Sequence, residues 1–593
     1  MTNTFGDFRD KIFRLDEYQG KNKILQLHEA IDRYVKPGMT IHISDRASAL
    51  TRALIRQFYG AKPDFTLVAI MVTDQLINLI YCGLVKKLIT SNCSEALPTP
   101  GPSRIIQDAI KSRALEIENW TLLSLAQRLM AGALDLPFMP TKSVIGSSIA
   151  AENQNSFCEL RDPFGTEARV GLVKALSPDL SLIHGWASDP EGNIITAPYL
   201  FSGEDAWGAK ASKYGVVATV ECIVPTQFMR KHSALVTIPG YMVNSVSPAP
   251  LGAHPLSMAT NFAIPELEPY DTDYEFVIQR RRASQSNDDL DNWIKTWVLD
   301  CPTHEAYLSK LGSARVDSLK RRATAESWKE NPVLSSVSRS PEYNSREMMV
   351  IAAARKLEEL VCKNGYKGIL FGIGISCLAA YVAYHKLKQE RHDVELWLGG
   401  AGFYGFSPQP SNTAYPCYGD PPTILTSKMI SDVINTYGIF IGGRWGNSIS
   451  VLSAAEVDKY GNVNSTKTFP DSYLIGAGGS NDAVNAREVL LMVPQSPRRL
   501  VEKVHYVTCP GERVKVLVTD MAVFHKMGEE FVLTHYLPHP SFRSKEEAIE
   551  QIRRNCGWEL KLASSLVQIQ PPSLEELALL RTFDPGGHFI GAR

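Results

Sequence analysis

The sequence predicts an α/β protein made of two similar open-sheet α/β halves. Three observations carry this: a length of 593 residues, a regular alternation of helix-period and strand-type segments, and the appearance of that alternation twice along the chain. A chain of this length exceeds what one hydrophobic core organises, so two or more domains are expected. Strands alternating with amphipathic helices pair in parallel, because each helix returns the chain to the end where the previous strand began. The helices then cover both faces of the sheet.

The elements follow in order. Residues 23–70 begin KILQLHEAIDRYVKPGMTIHIS, an apolar 3.6-period helix, a glycine-containing turn and a β-branched strand. DRASALTRALIRQFYG then supplies a second helix and PDFTLVAIM a second strand. Residues 348–399 repeat the pattern in MMVIAAARKLEELVCKNGYKGILFGIGIS, CLAAYVAYHKLKQE and HDVELWLG. A further pair follows, SPDLSLIHGWASDPEGNI at 177–194 and TYGIFIGGRWGNSISVLSAAEVDKYGNV at 436–463, each a buried strand leading to a Gly-Asn turn. Asp189-Pro190-Glu191-Gly192-Asn193 and Asp458-Lys459-Tyr460-Gly461-Asn462 are one turn written twice, with glycine where a positive φ suits a hairpin. Between the halves, residues 316–347 are rich in Ser, Arg and Glu, contain Pro332 and Pro341, and read as a surface linker with room for a short helix. The expected division is 1–315, a linker 316–347, and 348–593.

Composition excludes several classes. Hydrophobic residues at 44% and charged residues at 21% fit a soluble globular enzyme and not a disordered chain. A net charge of −1 provides no global field for nucleic acid or an anionic membrane, so an anionic ligand needs local basic groups or backbone N–H donors. The N-terminal MTNTFGDFRDKIFRLDEY carries charges throughout and lacks the apolar stretch of a signal peptide, and the longest apolar runs are broken by Gly, Ser and Lys before reaching a spanning length. The ten cysteines are scattered, with no CxxC pair and no His-Cys cluster. That pattern fits reduced thiols in the cytoplasm and argues against a disulfide framework or a metal site.

In the second half, Ile475-Gly476-Ala477-Gly478-Gly479-Ser480-Asn481-Asp482 follows a strand, and three glycines in four positions let a backbone approach a ligand with N–H groups converging on an anion. Glycine-rich turns are also common structural punctuation. More specific is PQSPRRLVEKVHYVTCPG at 494–511. From Phe440 to Gly511 the chain resembles the β subunit of glutaconate CoA-transferase, a member of the class I CoA-transferase superfamily, through FIGG, DKYGNVNST, GAGGSND and RRLVEKVHYVTCPG. The first half resembles the α subunit in AIDRYVKPGMTI, LDLPFMPTKSVIGSSI, SLIHGWASDPEGNI, APLGAHP and WVLDCPTHEAYLSKLG, and LLRTFDPGG near the C-terminus has a β-subunit counterpart. The resemblance spans roughly residues 20–315 and 345–590, in the order α then β.

The resemblance implies the class I CoA-transferase fold, an acyl-CoA substrate with coenzyme A as part of that substrate, and no permanently bound cofactor. It also implies a homodimer of fused chains, since glutaconate-type relatives pair two α with two β subunits. CoA and the thioester oxyanion would lie against Gly372, Gly374, Gly442, Gly443, Gly476, Gly478, Gly479, Asn481 and Asp482.

Members of the family attack the thioester with a β-subunit glutamate, in a loop of the form Glu-Ser/Asn-Gly-x-x-x-x-Ser-Pro, and form a glutamyl-CoA thioester. Here the loop reads Gly400-Ala401-Gly402-Phe403-Tyr404-Gly405-Phe406-Ser407-Pro408, and alignment on Gly402 and Ser407-Pro408 puts Gly400 at the glutamate's place. No carboxylate occurs from Leu396 through Gly419, and Glu395, within the strand VELWL, reads as structural. The chain also resembles the steroid-degrading ring-opening hydrolases of the superfamily, which cleave a C–C bond in a cyclic β-keto acyl-CoA with an α-subunit glutamate. Their loop corresponds to residues 91–104, which places Glu95 as the catalytic acid or base; a solvated loop glutamate is the plain alternative.

Four positions are read as substrate-binding: Arg46, His184, Gly400 and Gly402. Arg46, in Ser44-Asp45-Arg46, stands where the family has a Gly-Gly-aromatic turn and suits an anionic group, or else is a surface charge. His184 in SLIHGW is either a site residue or a satisfied core histidine; His254 reads as a turn histidine and Ser376 as a helix cap. The leading expectation is hydrolytic or retro-Claisen-type chemistry on an acyl-CoA. CoA transfer between carboxylic acids and non-catalytic acyl-CoA binding are the alternatives.

Overall fold

In the first half, strand β1 (Thr40–Ile43) leads into α1 (Ser48–Phe58), followed by β2 (Phe65–Val68), β3 (Met71–Thr73), α2 (Asp74–Tyr81), β4 (Val85–Thr90), β5 (Asn92–Ser94), β6 (Glu116–Asn119) and α3 (Leu122–Ala133). Three longer strands, β7 (Leu180–Ser188), β8 (Val216–Ile223) and β9 (Val243–Pro248), complete the main sheet, and helix α4 (Tyr274–Ala283) follows. The sheet runs β9-β8-β7-β1-β2-β4-β6 with every pair along that path parallel, as the alternating pattern predicts. All nine residues of β7 are buried, which is why this strand reads as a continuous apolar run. The structure is a computed structural model that describes residues 8, 9, 13, 20–165, 168–196, 203–260, 263–413, 421–468, 472–539 and 542–591.

The second half repeats the arrangement. Strand β10 (Gly368–Phe371), helix α5 (Ile375–Gln389) and β11 (Glu395–Leu398) are followed by β12 (Phe403–Tyr404), β13 (Met429–Ile430), β14 (Ser448–Ser453), β15 (Glu488–Met492), β16 (Val514–Val518), β17 (Ala522–Met527), β18 (Glu530–Tyr536) and β19 (Leu562–Gln568). They form one ten-stranded sheet in the order β13-β12-β11-β10-β14-β15-β16-β17-β18-β19, parallel from β11 through β16 and antiparallel at the β16-β17-β18 meander.

Both sheets reverse their direction of growth beside their first strand. β1 sits between β2 and β7, and β10 between β11 and β14. The crossovers on either side diverge at the carboxyl end of that strand, which opens a crevice there. The repeated turn is also the same in detail. Asp189 Oδ1 accepts the N–H of Asn193 at 2.9 Å, and Asp458 Oδ1 accepts that of Asn462 at 2.9 Å, with Gly192 at φ +88° and Gly461 at φ +84°.

The segment expected as a linker carries regular structure at both edges: helix Ser313–Arg322 crosses its start and helix Ser345–Asn364 begins before its end. It is also tied down. Arg581, fully buried, donates to the carbonyls of Ser338, Ser340 and Glu342 and to the carboxylate of Glu347. The halves share their apolar interior, since Leu122 and Leu123 of α3 pack in one cluster with Trp397 and Tyr437.

Candidate active site

The carboxyl ends of β1, β3 and β5 converge on a buried polar cluster. β3 and β5 pair in parallel with Val72 beside Cys93 and Thr73 beside Ser94, so the next residues, Asp74 and Glu95, leave the pair together. Glu95 is 3% exposed and both its oxygens are engaged: Oε1 accepts Ser103 Oγ at 3.0 Å and Oε2 accepts Arg280 Nη1 at 2.6 Å. Arg280, on α4, is completely buried, and its Nε donates to Asn78 Oδ1 at 3.0 Å. The adjacent Arg281 donates to the carbonyls of Leu97 and Thr99, pinning the loop that carries Glu95.

Several buried polar atoms here have no hydrogen-bond partner among the described residues: Ser44 Oγ, Asp45 Oδ1, Asp74 Oδ1, Gln75 Nε2 and Arg280 Nη2. Native interiors leave few such atoms, and these five lie at the crevice end of the sheet. Burial pushes the Asp74 carboxyl up to about 7, helped by the charges of Glu95 and Asp45 and opposed by Arg280 and Arg281. Burial likewise raises Asp45, against the pull of Arg46. Arg46 is buried at this same end of β1.

Gly400 lies in the short 3₁₀ turn Gly399–Ala401 that ends β11, and a Cβ placed on it would meet only Leu122 Cδ1, at 3.0 Å. Position 400 therefore faces the first half across the junction and bears no functional group. Glu395 points elsewhere: its Oε1 pairs with Lys388 at 2.9 Å and Lys428 at 2.6 Å, and its carboxyl is lowered, the hydrogen bonds from Lys428 and Lys388 outweighing burial. Residues 414–419 of the loop lie outside the described residues. The Tyr437 hydroxyl comes to 2.4 Å from a Cβ built on Gly399 and 2.2 Å from one built on Gly479, so a side chain at either place would displace the buried Tyr437 ring.

The glycine-rich motif does a different job from the one its composition suggests. Gly476 and Asn92 form an antiparallel bridge, Cys93 N donates to Ile475 O at 3.0 Å, and Gly478 N donates to Ser91 O at 2.9 Å. Gly476 N donates to Ser465 O at 3.2 Å. The amides of Gly476 and Gly478 are thus consumed by protein carbonyls and do not converge on an anion, which corrects the oxyanion reading of these two glycines. A Cβ at Gly476 would stand 2.4 Å from Ser91 O, so glycine is required by the close approach of the two halves. Asn481 and Asp482 belong to the same junction. Asn481 Oδ1 accepts Val144 N at 2.9 Å, and Asp482 accepts Thr121 Oγ1, Ser143 Oγ and Leu123 N.

Other expected site residues also find structural partners. His184 is fully buried with Nδ1 at 2.9 Å from Thr219 Oγ1 and Nε2 at 2.8 Å from Glu221 Oε1, the satisfied core histidine. Gly402 has φ +70°, and a Cβ there would fall 1.9 Å from Ser431 O, so this glycine serves a tight turn and leaves no room for substrate. Gly442 and Gly443 pack on the carbonyls of Tyr437, Gly438 and Ile439 in the π-helical stretch Ile434–Ile441. Gly372 and Gly374, at the carboxyl end of β10 before α5, stay uncrowded: a Cβ on either would find nothing nearer than 3.7 Å.

The coenzyme A transferase family model matches residues 24–249. Over 275 residues the chain is 31% identical to one of the two subunits of 3-oxoadipate CoA-transferase from Pseudomonas knackmussii, an alignment covering 41% of this chain and 94% of that one. The chain belongs to the coenzyme A transferase family. Within that enzyme family it is also similar to both subunits of glutaconate CoA-transferase from Acidaminococcus fermentans. One is 28% identical over 319 residues, covering 50% of this chain and 95% of that one. The other is 29% identical over 274 residues, covering 42% and 95%. An acyl-CoA transferase from E. coli O157:H7 shares the fold, with a TM-score of 0.64 at 16% identity over 98% of this chain and 100% of that one. Homologues of two separate polypeptides thus align with one fused chain.

Two residues of the cluster escape the sequence reading. Asp74 closes the apolar run LVAIMVT, where a lone acid was the available signal. Arg280 sits in the run QRRRA, which has the appearance of a solvated helix face.

Proposed function

We propose that this chain acts on acyl-CoA thioesters by hydrolytic or retro-Claisen-type C–C cleavage, without a covalent glutamyl intermediate. One observation carries the reading. The loop pattern puts Gly400, which faces Leu122, where the family's nucleophilic glutamate is expected, while Asp74, Glu95 and Arg280 form a buried ionisable cluster in the first half. A carboxylate held in a dry, charged crevice suits proton transfer better than open attack on a thioester. Coenzyme A enters as part of the substrate, and the uncrowded backbone at Gly372 and Gly374 beside α5 offers its approach. CoA transfer between carboxylic acids is the second reading, favoured by what the similar glutaconate and 3-oxoadipate enzymes are named for.

Borohydride separates the two. It reduces a glutamyl thioester to a fixed mass change, so the chain incubated with acyl-CoA should show no modified glutamate. An adduct mapped to any glutamate would establish transfer. Gly400→Glu would restore a carboxylate at that place and provides the positive control for the chemistry.

The division into 1–315, 316–347 and 348–593, a homodimer of fused chains and a cytoplasmic location belong to the same proposal. The free thiols of the described cysteines support a reducing compartment, and no helix among the described residues is long and apolar enough to cross a membrane. Light scattering that reports the single-chain mass of 65.7 kDa would remove the dimer.

A further inference from the structure

We propose that Asp74 is the residue that carries the mobile proton of this site, and that Glu95 and Arg280 are positioning residues acting on it. The assignment rests on the C–C cleavage reading above and goes beyond it, because it moves proton transfer away from the glutamate that the loop at 91–104 singles out.

Glu95 is poorly placed to exchange a proton. Each of its oxygens already accepts a hydrogen bond, and protonating it would leave a completely buried guanidinium without its counter-charge. Asp74 is the opposite case. It is 2% exposed, its Oδ1 has no partner among the described residues, and it stands beside Glu95 at the end of the β3-β5 pair. Its backbone is held at φ +41°, a conformation costly for a residue with a Cβ and typical of positions where geometry outranks stability. Arg280 ties the arrangement together, reaching Glu95 with Nη1 and Asn78, one helical turn beyond Asp74, with Nε. Its remaining Nη2 is buried and unpartnered among the described residues.

The charged groups around Asp74 come from three elements: Glu95 after β5, Arg280 and Arg281 on α4, and Asp45 after β1. Burial raises its carboxyl to about 7, and the like charges of Glu95 and Asp45 add to that rise against the two arginines. A general base poised near neutrality divides itself between the two forms that a proton relay needs. On a β-keto acyl-CoA every atom and electron pair is accounted for. The Asp74 carboxylate takes one proton from water as the water oxygen bonds the β-carbonyl carbon, whose π pair moves onto oxygen as an alkoxide that re-forms the carbonyl in the next step. The bond between that carbon and the α-carbon then breaks, its electron pair passing to the α-carbon as thioester enolate. Asp74 returns its proton to the α-carbon. Water's second hydrogen stays on the new carboxyl group, so the products are a carboxylic acid and an acyl-CoA, with Asp74 ionised again.

The test combines turnover with a titration that needs no substrate. Infrared titration of the full chain should contain a protonated-carboxyl band that ionises near neutrality. Asp74→Asn should lose that band, and Glu95→Gln, which removes a neighbouring negative charge, should move it to lower pH. In turnover of a β-keto acyl-CoA, Asp74→Asn should fall by roughly a hundred- to ten-thousand-fold and lose the neutral inflection of kcat/KM. Asp74→Glu, which keeps a carboxyl group, should recover part of the rate and the inflection, so a folding defect in the asparagine variant does not decide the matter. Asp74→Asn retaining band and inflection, or Glu95→Gln abolishing the band that Asp74→Asn keeps, overturns the proposal. A chain that shows the Asp74 band but cleaves no β-keto acyl-CoA would sink the reaction reading while leaving Asp74 as the proton-carrying group.

Discussion

Asp482 accepts the backbone N–H of Leu123 at 2.9 Å, across 359 positions of sequence. A carboxylate of the second half thus caps helix α3 of the first. Its other oxygen takes Thr121 Oγ1 at 3.0 Å and Ser143 Oγ at 2.5 Å, and the side chain is completely buried. Asp482→Ala would strand three donors at the junction, and a loss of about 3–5 kcal/mol is expected. Urea unfolding followed by fluorescence should then split into two transitions, one for each half. A single transition at the wild-type midpoint would show that the junction does not depend on this residue.

A second expectation concerns Glu95 and Arg280. Breaking a buried ion pair from one side leaves an uncompensated charge, so Arg280→Met or Glu95→Leu alone should each destabilise by about 3–5 kcal/mol. The double replacement Glu95→Leu with Arg280→Met should recover much of that loss, because it removes both charges from the interior together. Additive single effects in the urea midpoints would mean that the two side chains are not energetically coupled.

Stability should also depend on pH in a specific direction. Folded Asp74 holds its proton up to about pH 7, while the unfolded chain releases it near ~4. Between these values the folded state binds more protons than the unfolded state. Stability contributed by this group is therefore fully present below the lower value and is lost as pH rises, by up to about 1.4 kcal/mol per pH unit. Asp271 and Asp482 share the trend only to about 6. Asp74→Asn keeps both of those groups, so it should gain on the wild type steadily between about pH 5 and pH 7, and denaturation midpoints across that interval check it. A constant gap between the two would contradict the raised carboxyl.

The fourth expectation concerns Arg581. Its guanidinium fork holds three carbonyls of the segment between the halves and the Glu347 carboxylate, a set of bonds that a lysine cannot reproduce. Arg581→Lys should expose residues 323–344 to a broad-specificity protease, speeding cleavage there by at least about tenfold for each ~1.4 kcal/mol of lost local protection. Unchanged digestion would mean that the segment is held by its other contacts.

The fold was legible because it is written locally. Helix period, β-branched strands and the Asp-x-x-Gly-Asn turn each lie within a few residues, and each occurs in both halves. The cluster around Glu95 was only half legible. Its loop pointed to a special glutamate, but Arg280, 185 positions away, meets it only once the sheet order brings α4 beside the β3-β5 pair. The glycine-rich motif misled for a related reason. Three glycines near an Asn-Asp pair describe a close backbone approach, and nothing local distinguishes the approach of a ligand from that of another strand. Ser91 and Asn92 took the place imagined for an anion.

The bridge between Asn92 and Gly476 gives the fusion of the two halves a thermodynamic meaning. Three residues beyond Asn92 stands Glu95, so the loop that carries the site is seated on a backbone segment contributed by the other half. Between separate chains such a seat forms by a bimolecular encounter and empties on dilution. On one chain the encounter is unimolecular, its effective concentration is set by the tether, and its occupancy is independent of how much protein is present. The ratio of the halves is fixed at one to one by translation itself.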